Sequence, residues 1–211
     1  MKRFLAGVIA LAFMAALTGC SAGNKEQKPS GSPAESAADA ASSIQPGKPS
    51  KALVVYFSCT GTTKRIAEYI GQAQKAALYE IVPKIPYTQA DLAYYTDCRA
   101  DREQNDPAAR PAIEGTVENM NEYDTLFIGY PIWHGQAPKI VYTFLESYAL
   151  AGKTIVPFCT SHSSGIGSSD TNLHVLAEKA NWLAGRRFGG DTEADELVQW
   201  LHTLDLSGAG G

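Results

Sequence analysis

Six consecutive small residues, Ser58-Cys59-Thr60-Gly61-Thr62-Thr63, carry four hydroxyls and one glycine between an apolar run (52–57) and a segment patterned as a helix (64–77). A strand, a tight turn and a helix start in that order make an anion site. The first-turn amides of a helix lack carbonyl partners, and its dipole is positive at that end. Serine and threonine hydroxyls add donors, and Gly61 lets the backbone come close to a ligand. No lysine or arginine lies within the six residues, so a phosphate here is held largely by neutral donors. The nucleotide loop G-x-x-x-x-G-K-[ST], with its lysine, is excluded. A plain Ser/Thr-rich turn is the competing reading of the same residues.

Two later segments hold the remaining candidate chemistry. Gly129-Tyr130-Pro131-Ile132-Trp133-His134-Gly135-Gln136-Ala137-Pro138 places a large aromatic between a proline and a glycine, just after an apolar run. Such a residue suits stacking on a flat heteroaromatic ring, or else packs at a helix entry. Thr160-Ser161-His162-Ser163-Ser164-Gly165-Ile166-Gly167 follows the next apolar run. Gly165-x-Gly167 lacks the third glycine of the dinucleotide fingerprint and follows a late strand, which excludes that reading. His134 and His162 either act beside a bound ring, donating a hydrogen bond or relaying a proton, or are surface residues on polar loops. No short His/Cys ligand spacing argues for a metal. No Ser/His/Asp or Cys/His arrangement is evident, so no catalytic residue is assigned.

The positioning elements follow from the hydropathy pattern. Runs at 52–57, 78–82, 125–130 and 154–159 are nearly continuously apolar, as in strands covered on both faces. Helical periodicity follows at 64–77, from Pro138 until Gly152, at 169–181 and at 192–204, where Thr192 and Asp195 approximate a capping box. A fifth, weak strand is expected between Trp182 and Phe188. Residues 83–123 show no convincing strand, which points to a lid, a binding segment or a short helix near 89–95. Tyr94 and Tyr95 there either cover a ligand or pin the segment to the core. The mixed charges Asp97, Arg99, Asp101, Arg102, Glu103, Asp106 and Arg110 read as a solvated face. Strand–helix alternation predicts a doubly wound parallel α/β sheet, whose ligands sit beyond the carboxyl ends of the strands.

Ser58-x-Thr60-Gly61-x-Thr63 and Tyr130-Pro131-Ile132-Trp133-x-Gly135-x-x-Pro138 together resemble the phosphate loop and second flavin loop of the flavodoxin family, which binds flavin mononucleotide (FMN). The resemblance spans 51–206. It implies a flavodoxin-like three-layer sandwich around a five-stranded parallel sheet of order 2-1-3-4-5, with FMN held non-covalently. It also implies that Ser58, Cys59, Thr60, Gly61, Thr62 and Thr63 bind the phosphate. Pro131, Ile132, Trp133, His134 and Gly135 would line the isoalloxazine, with Trp133 against a ring face. Thr160, Ser161, His162, Gly165 and Gly167 would wrap its pyrimidine edge. Two residues depart from the family pattern: His162 stands where glycine is expected, and His134 where a second aromatic is common.

The rest of the chain bears on location. Lys2 and Arg3, the apolar stretch 5–17 and Leu17-Thr18-Gly19-Cys20 form a signal peptide whose end resembles the lipobox of bacterial lipoproteins. Cys20 is the expected lipidation site; the other reading is cleavage near Ala22. Residues 21–50, rich in Ser, Ala, Gly and Pro, are expected to form a disordered tether, and 207–211 a flexible tail. Without Lys2 and Arg3 the 18 basic residues become 16 against 22 acidic, a charge of −6. That argues against nucleic acid as a partner. If Cys20 carries lipid, Cys59, Cys98 and Cys159 cannot all pair. These features predict an extracytoplasmic, lipid-anchored electron-transfer flavoprotein serving an unidentified redox protein or small acceptor. The alternatives are an FMN-dependent NAD(P)H:quinone-type reductase and a redox-silent ligand-binding lipoprotein.

Overall fold

The structure, a computed structural model, describes residues 51–93 and 97–206. The leader, Cys20, the tether, Tyr94, Tyr95 and the tail lie outside the described residues. Five segments form one parallel sheet: β1 (Ala52–Tyr56), β2 (Ala77–Glu80), β5 (Thr125–Pro131), β6 (Thr154–Thr160) and a broken last strand made of β7 (Asn181–Trp182) and β8 (Arg186–Phe188). The order is β2-β1-β5-β6, with β7 and β8 both pairing β6. The order 2-1-3-4-5 is thus observed once a short ribbon, β3 (Val82–Pro83) with β4 (Ile113–Glu114), is set aside as an excursion.

Alternation within apolar strands builds the layers. Leu53, Val55, Leu126, Ile128 and Ile155 face one core, which α3 (Lys139–Glu146) covers with Ile140, Val141, Phe144 and Leu145. Val54, Tyr56, Phe127, Val156 and Phe158 face the other. There α1 (Thr62–Gln74) contributes Ile66, Ala67 and Ile70, and α4 (Ala194–His202) contributes Leu197, Trp200 and Leu201.

Several boundaries differ from the sequence expectation, each for a local reason. Helix α1 stops at Gln74 because Lys75 turns left-handed (φ 51°) and Ala76 N–H bonds Gly71 O; Ala77 then pairs with Leu53. Pro138, with extended ψ of 143°, precedes α3 rather than opening it, and α3 ends at Glu146, ahead of Gly152. The helix expected at 169–181 is only a 3₁₀ turn, Thr171–Leu176. Thr171, Asn172 and Val175 are weak helix formers, and the indole of Trp182 bonds Ala177 O where the turn ends. The capping box does not form: Thr192 Oγ1 accepts from Gly189 N–H, and Glu193 caps α4 without a side-chain bond. The last strand breaks where Pro157 of β6 has no N–H to donate. There a Cβ on Gly185 would lie 2.5 Å from Ile166 Cδ1.

Residues 83–123 hold more structure than their sequence suggests. Beside the β3–β4 ribbon they contain 3₁₀ turns at Ala90–Leu92 and Met120–Glu122 and a helix, α2 (Arg99–Asn105). Cys98 Sγ caps α2 by accepting from Asp101 N–H, and Arg110 grips Glu146 of α3 through two bonds of 2.7 and 2.8 Å. The charged run is therefore not simply a solvated face.

Gly129 sits beside Phe158 in the β5–β6 register, and a Cβ there would lie 2.1 Å from the Phe158 ring. Gly129→Ala should lower unfolding free energy by about 1–3 kcal/mol through overpacking. Denaturant midpoints would measure this, and adding Phe158→Leu should recover part of the loss.

Candidate functional site

Strands β1, β5 and β6 are neighbours, so the loops leaving their carboxyl ends emerge side by side. Between them lies a cleft of about 250 Å³. The first loop lines it with Thr60 and Thr62, the second with Pro131 and Ile132, and the third with Thr160, Ser161 and His162. Gly190, from the turn before α4, closes it.

The first loop presents donors. Gly61 is left-handed (φ 86°) and exposed, and its N–H bonds Ser58 Oγ at 3.1 Å. The first internal bond of α1 runs from Arg65 N–H to Gly61 O, and no side chain caps the helix. The amides at 62–64 therefore have no helical carbonyl ahead of them, at the positive end of the dipole. Thr63 differs from its neighbours. It is buried, and its hydroxyl lies 2.8 Å from that of Thr160, so it ties loops together instead of lining the cleft.

Two guanidinium groups, which the sequence reading did not assign to the site, bond backbone carbonyls of residues that line it. Arg65 bonds Gly190 O. Arg187 of β8 donates to Ser161 O (2.6 Å) and His162 O (2.9 Å), holding the third loop. Arg65 lies one helical turn past the loop and Arg187 on the weakest strand, so neither falls within a motif.

The second loop is a tight turn. Trp133 and Gln136 exchange two backbone bonds of 2.9 Å, and His134 (φ 48°) and Gly135 (φ 75°) are both left-handed between them. That combination is the type I′ geometry, which glycine favours and histidine tolerates. Ile132 N–H bonds Thr160 O at 3.0 Å. The indole packs edge-on against Phe57 (5.5 Å, 81°) and Tyr87 (5.3 Å, 81°). Tyr87 was not singled out by sequence, because nothing in its vicinity marks it as different from nine other tyrosines. Its hydroxyl bonds Glu103, and Arg99 lies over its ring at 4.1 Å while bonding Glu103 at 2.7 Å. Burial, and then the bond to Glu103, hold the Tyr87 phenol well above its ordinary range. Ser58 and Cys59 line a separate hollow of about 190 Å³ with Pro83, Pro86 and Tyr87, apart from the main cleft.

The third loop is only partly in the cleft. Gly165 and Gly167 are exposed and do not line it. The segment is tied to the second loop through Gln136, which contacts Ser168 Oγ (3.4 Å) and Asn172 Nδ2 (2.7 Å). Cys59, Cys98 and Cys159 are all free thiols. Burial pushes the Cys159 thiol up to about 12, which keeps it protonated and unreactive near neutral pH.

A doubly wound parallel sheet with an uncapped helix start and two further loops converging at its carboxyl edge defines a mononucleotide-binding type of α/β domain. Residues 51–204 match the family model described as Flavodoxin. A flavoprotein of Bacteroides eggerthii is 48% identical, with a TM-score of 0.69 over 73% of this chain and 97% of that one. A flavoprotein of Bacteroides uniformis is 40% identical, with a TM-score of 0.70 over 74% and 99%. A Lactobacillus acidophilus flavoprotein solved in complex with FMN is 25% identical, with a TM-score of 0.54 over 70% and 98%. The chain belongs to the flavodoxin family.

The Thr63–Thr160 pair supports a clean test. Thr63→Val leaves a buried hydroxyl on Thr160 unpaired and should cost about 1–3 kcal/mol in unfolding free energy. Thr63→Val/Thr160→Val should be closer to wild type than the sum of the single variants, and additive losses in a double-mutant cycle would count against the bond.

Proposed function

We propose that this chain is an FMN-binding flavoprotein that transfers electrons outside the cytoplasm, tethered to a bacterial membrane by lipid on Cys20. The observation that carries the FMN reading is the single cleft to which all three loops contribute. Its donor set suits a phosphate monoester: the uncapped start of α1 and the hydroxyls of Thr60 and Thr62, with two guanidiniums held on the backbone of the lining residues Gly190 and Ser161. The FMN complex of the Lactobacillus acidophilus relative supports the same ligand. Bound FMN supplies one- and two-electron chemistry. The chain's part is to bind and orient. Thr60, Thr62 and the α1 amides hold the phosphate, while Pro131, Ile132, Thr160 and Ser161 wall the cleft beyond it. Electron exchange needs no nucleophile or acid–base pair from the protein, which fits the motifs present. The anchor reading rests on Lys2, Arg3 and the Leu17-Thr18-Gly19-Cys20 ending.

Purified protein should take up one FMN per chain, with absorbance that bleaches and returns in a reductive titration. Protein that stays colourless after added FMN would contradict the proposal, and steady NAD(P)H consumption would redirect it to a reductase. Thr60→Val should weaken FMN binding by about 1–2 kcal/mol and riboflavin binding much less; equal losses would move the phosphate elsewhere. Cys20→Ala should release the protein from the membrane fraction, and unchanged fractionation would sink the anchor.

A further inference from the structure

Helix α2, in the excursion between the second and third long strands of the sheet, grips the second loop from outside the cleft. The carboxamide of Gln104 makes three bonds to it. Its Nε2 donates to Trp133 O at 3.0 Å and to Ala137 O at 3.3 Å, while its Oε1 accepts from Lys139 N–H at 3.0 Å. One turn earlier on the same helix face, Asp101 Oδ1 stands 3.4 Å from His134 Nε2. The loop so held contains the left-handed pair His134 and Gly135 and the indole of Trp133, which rests on Tyr87. Tyr87 is in turn fixed by Glu103, the neighbour of Gln104 on α2. The same short helix thus orients both the backbone and the aromatic side chain of this loop.

A primary carboxamide is the one side chain that offers two N–H donors and a carbonyl acceptor at a single tip. Trp133 O lies at the start of the tight turn, Ala137 O one residue past its end, and Lys139 N–H opens α3. Gln104 therefore joins the turn, itself closed by the Trp133–Gln136 pair, to the start of the helix behind it. Loss of the carboxamide leaves two carbonyls and one amide of partly buried backbone without that partner.

We infer that Gln104 is a positioning residue for bound flavin: by bracing residues 133–139 it sets how the second loop meets the ring, and so tunes ring affinity and reduction potential without touching the phosphate end. This rests on the FMN reading above. Where a loop presents its peptide groups and aromatic ring to a redox cofactor, small displacements alter the relative stability of the oxidised and reduced forms.

The test begins with wild-type protein. Hydrogen exchange on the FMN-free form should show the Lys139 amide protected, and exchange at the unstructured rate in the folded protein would overturn the inference without any variant. Gln104→Met, which keeps length and removes all three bonds, should weaken FMN and riboflavin by the same factor, about tenfold. It should also displace the midpoint potential of the bound flavin. Gln104→Glu keeps an acceptor for Lys139 N–H and loses both donors, so Lys139 should stay protected while affinity and potential still move. Unchanged affinity and potential in either folded variant would overturn the proposal, as would a loss confined to FMN, which would place the effect at the phosphate. Wild-type protein that binds neither flavin would instead show that the FMN reading itself is wrong, and the inference would fall with it.

Discussion

The site depends on one residue where three loops join. Thr160, the last residue of β6, is 4% exposed. Its hydroxyl meets Thr63 at the start of α1, and its carbonyl accepts from Ile132 at the end of β5. Both bonds lie at the carboxyl edge of a parallel sheet, where backbone groups have run out of strand partners. A buried hydroxyl pair shielded from water is costly to separate. The first loop is thus tied to the third through side chains and the second to the third through backbone. The cleft that opens between them inherits its shape from those two bonds. Everything further out, including Arg187 on Ser161 and His162, and Gln136 against Ser168 and Asn172, trims loops already fixed at their roots.

The net charge opposes an anionic ligand, since acidic residues outnumber basic ones, 22 to 18. The structure shows how the local field differs from the global balance. An uncapped helix start supplies partial positive charge within the cleft, and Arg65 and Arg187 bring whole charges up to residues of its lining, Gly190 and Ser161. Both guanidiniums bond backbone carbonyls there, which fixes them in place without a carboxylate cancelling their charge through those bonds. Lys64 is also close in sequence but turns to Glu80 on β2.

The legible and illegible parts of the sequence divide along physical lines. Strands β1, β5 and β6 could be read because burial on both faces demands unbroken apolar runs, and their parallel arrangement followed from strand–helix alternation, while their order came from the flavodoxin resemblance. The loops after them could be read because a turn to a helix start needs small, hydroxyl-bearing or glycine residues at fixed places. What could not be read depends on partners distant in the chain. Helix α2 has no apolar face of its own to announce it. It is held by Cys98, by the Arg99–Glu103 pair and by bonds from Gln104 to residues about thirty positions away. The helix expected at 169–181 fails because Trp182 and the β6–β7 pairing draw the chain out of helical register, a tertiary effect. Thr63 matched a motif yet turned inward, since hydroxyl content alone does not tell which residue of a cluster faces the core.

The central claim is that three successive loops act as one binding surface for FMN, and amide-resolved NMR during a titration with FMN tests it most directly. The account predicts that amide resonances of residues 58–63, 132–135 and 160–162 move together and saturate at one equivalent, with the largest changes at the start of α1. Shifts confined to a single loop, or centred on another face of the sheet, would contradict it.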